Sequence, residues 1–214
     1  MKPLAIDLFC GLGGWTEGLL AEGYDVVGFD VERHVYGDQK YPAQLVLQDV
    51  LTIHGSQFRN AALIVASPPC QEFSYMAMPW SKAKSKRQAY LDNPETQKQL
   101  TALFDACFRI QREASDAADH HIPMAVENVR GAQEWIGPAK WRYGSFYLWG
   151  DVPAIMPIGS ARKGTGGGWF GEYSLRGDPG SYVSSNSQER NQIVASRSKI
   201  PLPLSRWIAR AYLP

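Results

Sequence analysis

The stretch LAIDLFCGLGGWTEGLL, Leu4 to Leu20, changes character twice within a short span. Leu4 to Phe9 is an apolar run with one carboxylate, Asp7, inside it. Gly11, Gly13 and Gly14 then break the run, and Trp15, Leu19 and Leu20 follow at helical spacing, on one expected helix face. Strand, glycine loop and helix in that order open a β–α unit. The expectation for the chain is therefore an α/β fold, a mostly parallel sheet with helices on both faces.

The pattern repeats outward. Tyr24 to Asp30 reads as a second strand ending on a carboxylate, and a polar helix is expected from Glu32 to about Lys40. Leu45 to Leu47 is a third strand leading into Gln48-Asp49, and Leu63 to Ala66 is a fourth, running into Ser67-Pro68-Pro69-Cys70. Gln97 to Ala118 predicts a long helix with Leu100, Leu103, Phe104, Cys107, Ile110 and Ala114 on its buried face. Pro123 to Val126 is a fifth strand stopping on Glu127-Asn128, and Ser145 to Leu148 is a further one. Two regions resist assignment: Glu72 to Glu95 has no clear period, and Gly159 to Arg190 is rich in glycine and serine.

Ligands of parallel sheets bind beyond the C-terminal strand ends. Asp7 lies within the first strand, while Gly11, Asp30, Asp49, Cys70 and Glu127 stand at or just past successive strand ends. Five such positions predict one shared site.

Composition narrows the class. At 214 residues the chain suits a single domain, and a formal charge of +1 announces no large basic footprint. Three cysteines at irregular spacing make neither a disulfide framework nor a zinc pattern, which points to a reducing interior. No apolar run reaches the roughly 20 residues that span a bilayer, and the sequence goes straight into a strand. A cytoplasmic protein with no metal is the expectation.

Each constellation has a bland reading beside the chemical one. The glycine loop is either a tight turn or a place where backbone approaches a ligand; Asp30, about 20 residues on, suits ribose hydroxyls. Cys70 is either a small core residue or a nucleophile presented by the rigid Pro68-Pro69 pair. Glu127 either caps a following helix or, desolvated at a strand end, holds a proton near neutral pH, with Asn128 orienting it or bonding a substrate. Lys82, Lys84, Lys86 and Arg87 form either a solvated loop or a phosphate contact close behind Cys70. His120-His121 reads as a solvated turn, Cys107 as core, and Trp135, Trp141, Tyr143, Phe146, Tyr147 and Trp149 as packing.

DLFCGLGG, SPPCQEFS and AVENVRG, in this order and separated by strand–helix units, resemble the DNA (cytosine-5)-methyltransferases. VASRSKIPLPLSRWIARAY near the C-terminus is more loosely similar to the last motif of that family, which packs beside the cofactor loop. The resemblance implies a Rossmann-like methyltransferase fold, S-adenosylmethionine as methyl donor, and a cytosine flipped out of double-stranded DNA. It assigns Cys70 to attack C6 and Glu127 to act at N3, so that C5 becomes nucleophilic enough to take the methyl; proton loss from C5 and elimination of Cys70 then restore the ring. Asp7, Phe9, Gly11, Gly13, Gly14, Asp30, Asp49, Pro69, Leu100 and Ser198 are the implied cofactor residues. Gln71, Ser74, Lys82, Lys84, Lys86, Arg87 and Arg130 are the implied nucleic-acid contacts.

Two departures stand out. The Gln-Arg-Arg strand of the family is replaced by WRYGSFYLWGDVP, leaving Arg142, Arg162 or Arg176 to supply the arginine opposite the base. The target-recognition domain is missing or reduced to about residues 155–195, so specificity is relaxed or comes from a protein partner. The small size suggests a phage-type or stand-alone member. The rival readings are an inactive binding relic and an enzyme acting on RNA cytosine or a free nucleotide.

Overall fold

A computed structural model describes residues 2–74, 80–159, 161, 192, 195 and 198–214. The strands are β1 (Leu4–Leu8), β2 (Asp25–Asp30), β3 (Val35–Tyr36), β4 (Gln39–Lys40), β5 (Gln44–Leu47), β6 (Ala61–Ala66), β7 (Met124–Asn128), β8 (Trp141–Tyr143) and β9 (Phe146–Gly150). The helices are α1 (Gly14–Ala21), α2 (Trp80–Asp92), α3 (Pro94–Ala118), α4 (Gln133–Ile136) and α5 (Leu202–Ala211).

Seven strands form one sheet in the order β5-β2-β1-β6-β7-β9-β8. The first five are parallel, and β9 runs antiparallel to both β7 and β8. Alternation along the strands explains how the sheet is covered. Ala5, Leu63, Val65 and Ala125 pack with Trp15 and Leu19 of α1 and Leu204 and Ile208 of α5. Ile6, Leu8, Ile64, Ala66, Met124 and Val126 face the other way, onto Phe104, Cys107 and Ile110 of α3. A strand with both faces covered reads as an unbroken apolar run, which is what Leu63 to Ala66 is.

The chain order reverses between β1 and β6. At such a switch point the loops leaving the two strands part and open a crevice. Those loops are the glycine loop and Ser67–Cys70.

Helix α5 closes the molecule against α1. A Cβ on Gly18 would lie 2.2 Å from Ser205 Oγ, so glycine there permits the close approach. Glu22 receives Arg206 and Arg210 at 2.5 and 2.7 Å, which holds its carboxyl below its usual range, and Tyr24 donates to the Ala209 carbonyl at 2.9 Å. Within the two arginines' reach, the first helix after the glycine loop is thus pinned by the last helix described.

Several expected elements are corrected. Glu32 to Lys40 is no helix: Gly37, at φ +59, makes the turn of the small hairpin β3–β4, a conformation that glycine adopts without strain. Glu72 to Glu95 contains α2, whose buried apolar residues, among the described side chains, are Ala83 and Tyr90, too few to carry a period. Leu20 is 39% exposed and does not share the buried face of Trp15 and Leu19. Helix α3 begins at Pro94, three residues early, because Asn93 Oδ1 accepts the Glu95 and Thr96 N–H groups and caps it. Strand β6 begins at Ala61, and β7 continues through Glu127 and Asn128.

Of the stretch 155–195, residues 155–159, 161, 192 and 195 are described; Arg162, Arg176 and the glycine-rich centre lie outside the described residues. Met156 is buried, the Trp207 indole donates to the Ile155 carbonyl at 2.9 Å, and the Ala161 carbonyl accepts the Ser145 N–H at 2.8 Å. No helix among the described residues is long and apolar enough to cross a membrane.

Candidate active site

The glycine loop uses its glycines for different reasons. Gly13 (φ +80) and Gly14 are packing glycines: a Cβ would meet Pro42 Cδ at 2.6 Å and the Ile200 backbone nitrogen at 2.3 Å, respectively. Gly11 (φ +50) has nothing within 4 Å of where a Cβ would stand, so its backbone is open on that side. Phe9 is also left-handed, at φ +59, a conformation that costs a non-glycine residue of order 1–3 kcal/mol and tends to occur at ligand sites. Helix α1 starts with no side-chain cap, which leaves its first-turn N–H groups facing the loop.

Asp30 is fixed beside this loop. Its Oδ2 accepts the Gly11 N–H at 2.9 Å, and its Oδ1 accepts Val31 N–H at 2.8 Å and Glu32 N–H at 3.4 Å. Asp49 is exposed, and its Oδ1 accepts the Leu51 N–H at 2.9 Å. That turn is held from behind by Arg109, which donates to the Ile53 carbonyl at 2.8 Å.

Asp7 is different. It is 1% exposed, receives Thr16 Oγ1 at 2.6 Å, and burial pushes its pKa up to about 7. Thr16 spends its only hydroxyl proton on Asp7, so the Tyr41 hydroxyl donates to Thr16 at 2.6 Å. Asp7 anchors the start of α1 from below the loop and does not line the crevice.

The second loop is held by the strand beside it. Asn128 is fully buried; its Nδ2 donates to the Pro68 carbonyl at 2.9 Å, and its Oδ1 accepts the Val129 N–H at 2.8 Å. A Cβ on Gly131 would lie 2.0 Å from the Phe73 carbonyl oxygen, so only glycine lets that loop sit so close. The Cys70 carbonyl accepts the Phe73 N–H at 3.1 Å and Ser74 Oγ at 2.8 Å, closing a tight turn on the cysteine. The stretches SPPCQEFS and ENVRG are thus two halves of one mount.

Cys70 is the one partly exposed thiol of the three. Cys10 and Cys107 are buried, and burial drives both thiols far above their ordinary pKa, which makes them inert. Glu127 is 1% exposed, and the turn after β7 takes no side-chain cap, so Glu127 is not a helix cap. Its Oε2 accepts Ser67 Oγ at 3.4 Å, and Ser67 Oγ accepts the Trp15 indole N–H at 3.0 Å.

These loops surround a cleft of about 350 Å³, within the range of small-molecule sites. Of the expected residues, Phe9, Gly11, Gly14, Pro69, Cys70, Gln71, Ser74, Glu127 and Ser198 line it. Trp15, Ser67, Lys199 and Ile200 line it as well. Ser67 was legible only as the first residue of the Pro-Pro-Cys turn, and Ile200 carries no polar signal at all.

The remaining expected residues stand elsewhere. Leu100 packs against the α3 core cluster, and Arg142 is exposed on β8 opposite Tyr147. Lys86 pairs with Glu72 at 2.7 Å and Arg87 with Glu134 at 2.5 Å, on a helix and not a loop. Lys82, Lys84 and Arg130 are exposed. His121 sits 3.0 Å from Asp151. Of the aromatic residues, Tyr143, Phe146 and Trp149 are core, whereas Trp141 is 43% exposed.

Residues 4–101 match the family of C-5 cytosine-specific DNA methylases. The Type II methylase M.HgiDII of Herpetosiphon aurantiacus is 31% identical over 84 residues, covering 35% of this chain and 23% of that protein. The chain therefore spans less than a quarter of the length of this curated relative. Among solved structures, a putative DNA modification methyltransferase encoded within an E. coli prophage is 23% identical, with TM-score 0.38, over 61% of this chain and 33% of that one. The S. pombe Dnmt2 methyltransferase is 16% identical, with TM-score 0.37, over 64% and 37% of the two chains. The matched segment, residues 4–101, carries the glycine loop, Asp30, Asp49 and Cys70, and in it this chain is similar to the C-5 cytosine-specific DNA methylases.

Proposed function

We infer that this protein methylates C5 of cytosine in double-stranded DNA, with Cys70 as nucleophile and Glu127 as the group acting at N3. The observation that carries this reading is the meeting of Cys70, from the β6 loop, and Glu127, from β7, in the cleft that the glycine loop also lines.

The residues present fit the cofactor that the family implies. Gly11 is open to a ligand, the uncapped start of α1 suits an anionic end, and Asp30 keeps lone pairs beyond its backbone bonds for ribose hydroxyls. Phe9, Gly11, Gly14, Asp30, Asp49 and Ser198 would hold S-adenosylmethionine, while Asp7 and Gly13 shape the loop behind it. S-adenosylmethionine supplies an electrophilic methyl group on a sulfonium.

The protein's part is activation of the base. The Cys70 thiolate adds to C6 while Glu127 hydrogen-bonds or protonates N3, so that the C5–C6 electron pair becomes available at C5. Once C5 carries the methyl, transfer of the C5 proton to a water or another base returns that electron pair to the C5–C6 bond as the C6–S bond breaks and Cys70 leaves as thiolate. Asn128, bonded at both polar ends within the protein, positions the Cys70 turn. Lys82, Lys84 and Arg130 are the exposed cations that would meet phosphates. The chain is read as a cytoplasmic methyltransferase domain in which about residues 155–195 are a possible reduced recognition insert, with a second protein as the other source of specificity.

The deciding experiment is incubation with S-adenosylmethionine and a duplex containing 5-fluorocytosine, followed by a denaturing gel. A covalent adduct with wild type and none with Cys70→Ser is the expected result. An adduct on RNA only would move the substrate to RNA. Cofactor binding without an adduct on either would make the protein a binding relic.

A further inference from the structure

The hydrogen bonds around Ser67 have a forced direction. An indole N–H can only donate, so Trp15 gives its proton to Ser67 Oγ, at 3.0 Å. The single hydroxyl proton of Ser67 is then directed to the Glu127 carboxyl, whose Oε2 is 3.4 Å away. The contact is long, as hydrogen bonds of catalytic groups often are before substrate closes on them. Trp15 is 2% exposed on the first turn of α1, so the donor end is rigid. All three residues line the cleft, and they come from three different segments of the chain.

We propose that Ser67 is a positioning residue: it passes the hydrogen-bond polarity of Trp15 to Glu127 and thereby fixes the orientation of the Glu127 carboxyl toward the base. The inference rests on the function assigned to Glu127 above. In a neutral carboxylic acid the carbonyl oxygen is the better hydrogen-bond acceptor, so a donated bond favours that role for the oxygen receiving it. With Ser67 donating to Oε2, the acid carries its proton on Oε1, and Oε1 is the oxygen that would deliver it. The same chain of bonds ties the carboxyl to the helix that follows the glycine loop, so the two ends of the cleft are mechanically joined.

The test has two parts, both on the full chain. The first reads the relay without any reaction. In a ¹H–¹⁵N spectrum Trp15→Phe removes one of the seven indole peaks and so assigns Trp15. Glu127→Gln is expected to shift that peak in the parent protein and to leave it unmoved in a Ser67→Ala background. A Trp15 peak that ignores Glu127→Gln in the parent overturns the relay.

The second part reads its use. Ser67→Ala is expected to slow adduct formation on 5-fluorocytosine DNA by about tenfold, with cofactor affinity changed less than about twofold, and Ser67→Thr to restore the rate. Trp15→Phe, which keeps the ring and removes the N–H, is expected to slow it in the same sense. A Ser67→Ala protein that is folded and as fast as the parent overturns the positioning role. A parent protein that forms no adduct at all counts against the function assigned to Cys70 and Glu127; the relay then stands or falls by the indole peak.

Discussion

The Asn128 side chain reaches from the end of β7 to the Pro68 carbonyl, a 2.9 Å bond between the strand that ends on Glu127 and the turn that presents Cys70. Because Pro68 and Pro69 have no N–H to give, this carbonyl bond joins the Ser67 N–H bond to the Leu8 carbonyl, at 3.2 Å, in registering the turn against the sheet. Asn128→Ala would leave a buried carbonyl unsatisfied, at about 1–3 kcal/mol. The expected outcome is a lower Tm and slower adduct formation, with Asn128→Asp no better, since a carboxylate cannot donate to Pro68 when ionised. Thermal unfolding followed by circular dichroism, beside the gel assay, checks both.

Gly131→Ala should act on the same mount from the other side. Its Cβ would stand 2.0 Å from the Phe73 carbonyl, a rigid backbone atom, so the loop after Cys70 must move. A destabilisation of about 1–3 kcal/mol in urea unfolding and a larger proportional loss of adduct rate are expected. Equal rates in parent and variant would show that the turn tolerates the shift.

Stability should fall with rising pH across the range where Asp7 titrates. Its pKa in the folded protein, about 7, lies above the 3.8 of an unfolded aspartate, so the folded state binds the extra proton between them. Stability is then fullest below about pH 4, declines toward pH 7 and is flat above it, as far as this group is concerned. The amplitude is of order 4 kcal/mol. Asp7→Asn, which cannot ionise, is expected to flatten that part of the profile of unfolding free energy against pH. An unchanged slope in Asp7→Asn would assign it to another group.

The cations on α2 should not be equivalent toward DNA. Lys82 and Lys84 are exposed, whereas Lys86 and Arg87 are paired with Glu72 and Glu134. Lys82→Ala and Lys84→Ala are each expected to reduce the slope of log affinity against log salt by about 1. Lys86→Ala should reduce it less and instead loosen Glu72, and with it the loop after Cys70. Fluorescence anisotropy at several salt concentrations separates the two behaviours.

The parts legible in the sequence were those set by local periodicity. Leu63 to Ala66 announces a strand covered on both faces, and Leu100 to Ala114 announces the buried stripe of α3, because burial repeats at 2 and 3.6 residues. Helix α2 escaped because Ala83 and Tyr90, its buried apolar residues among the described side chains, cannot draw a stripe. The hairpin at Gly37 was hidden by the polar residues around it. Among the site residues, Cys70 and Glu127 end strands and could be found; the Ser67 bonds could not, since their partners lie 52 and 60 positions away. Asn128 was visible as a polar residue beside Glu127, but its use as a brace depends on the neighbouring strand.

The contact between Gly14 and Ile200 has a consequence for how the molecule comes into being. The glycine-loop wall of the cleft is synthesised well before the adjoining wall, Ser198 to Ile200. On a ribosome delivering about 5–20 residues per second, the glycine loop stays uncovered while the residues between these two walls are made. The cleft closes only once Ile200 has been added, and a nascent chain halted before Lys199 has no closed pocket in which to hold a ligand.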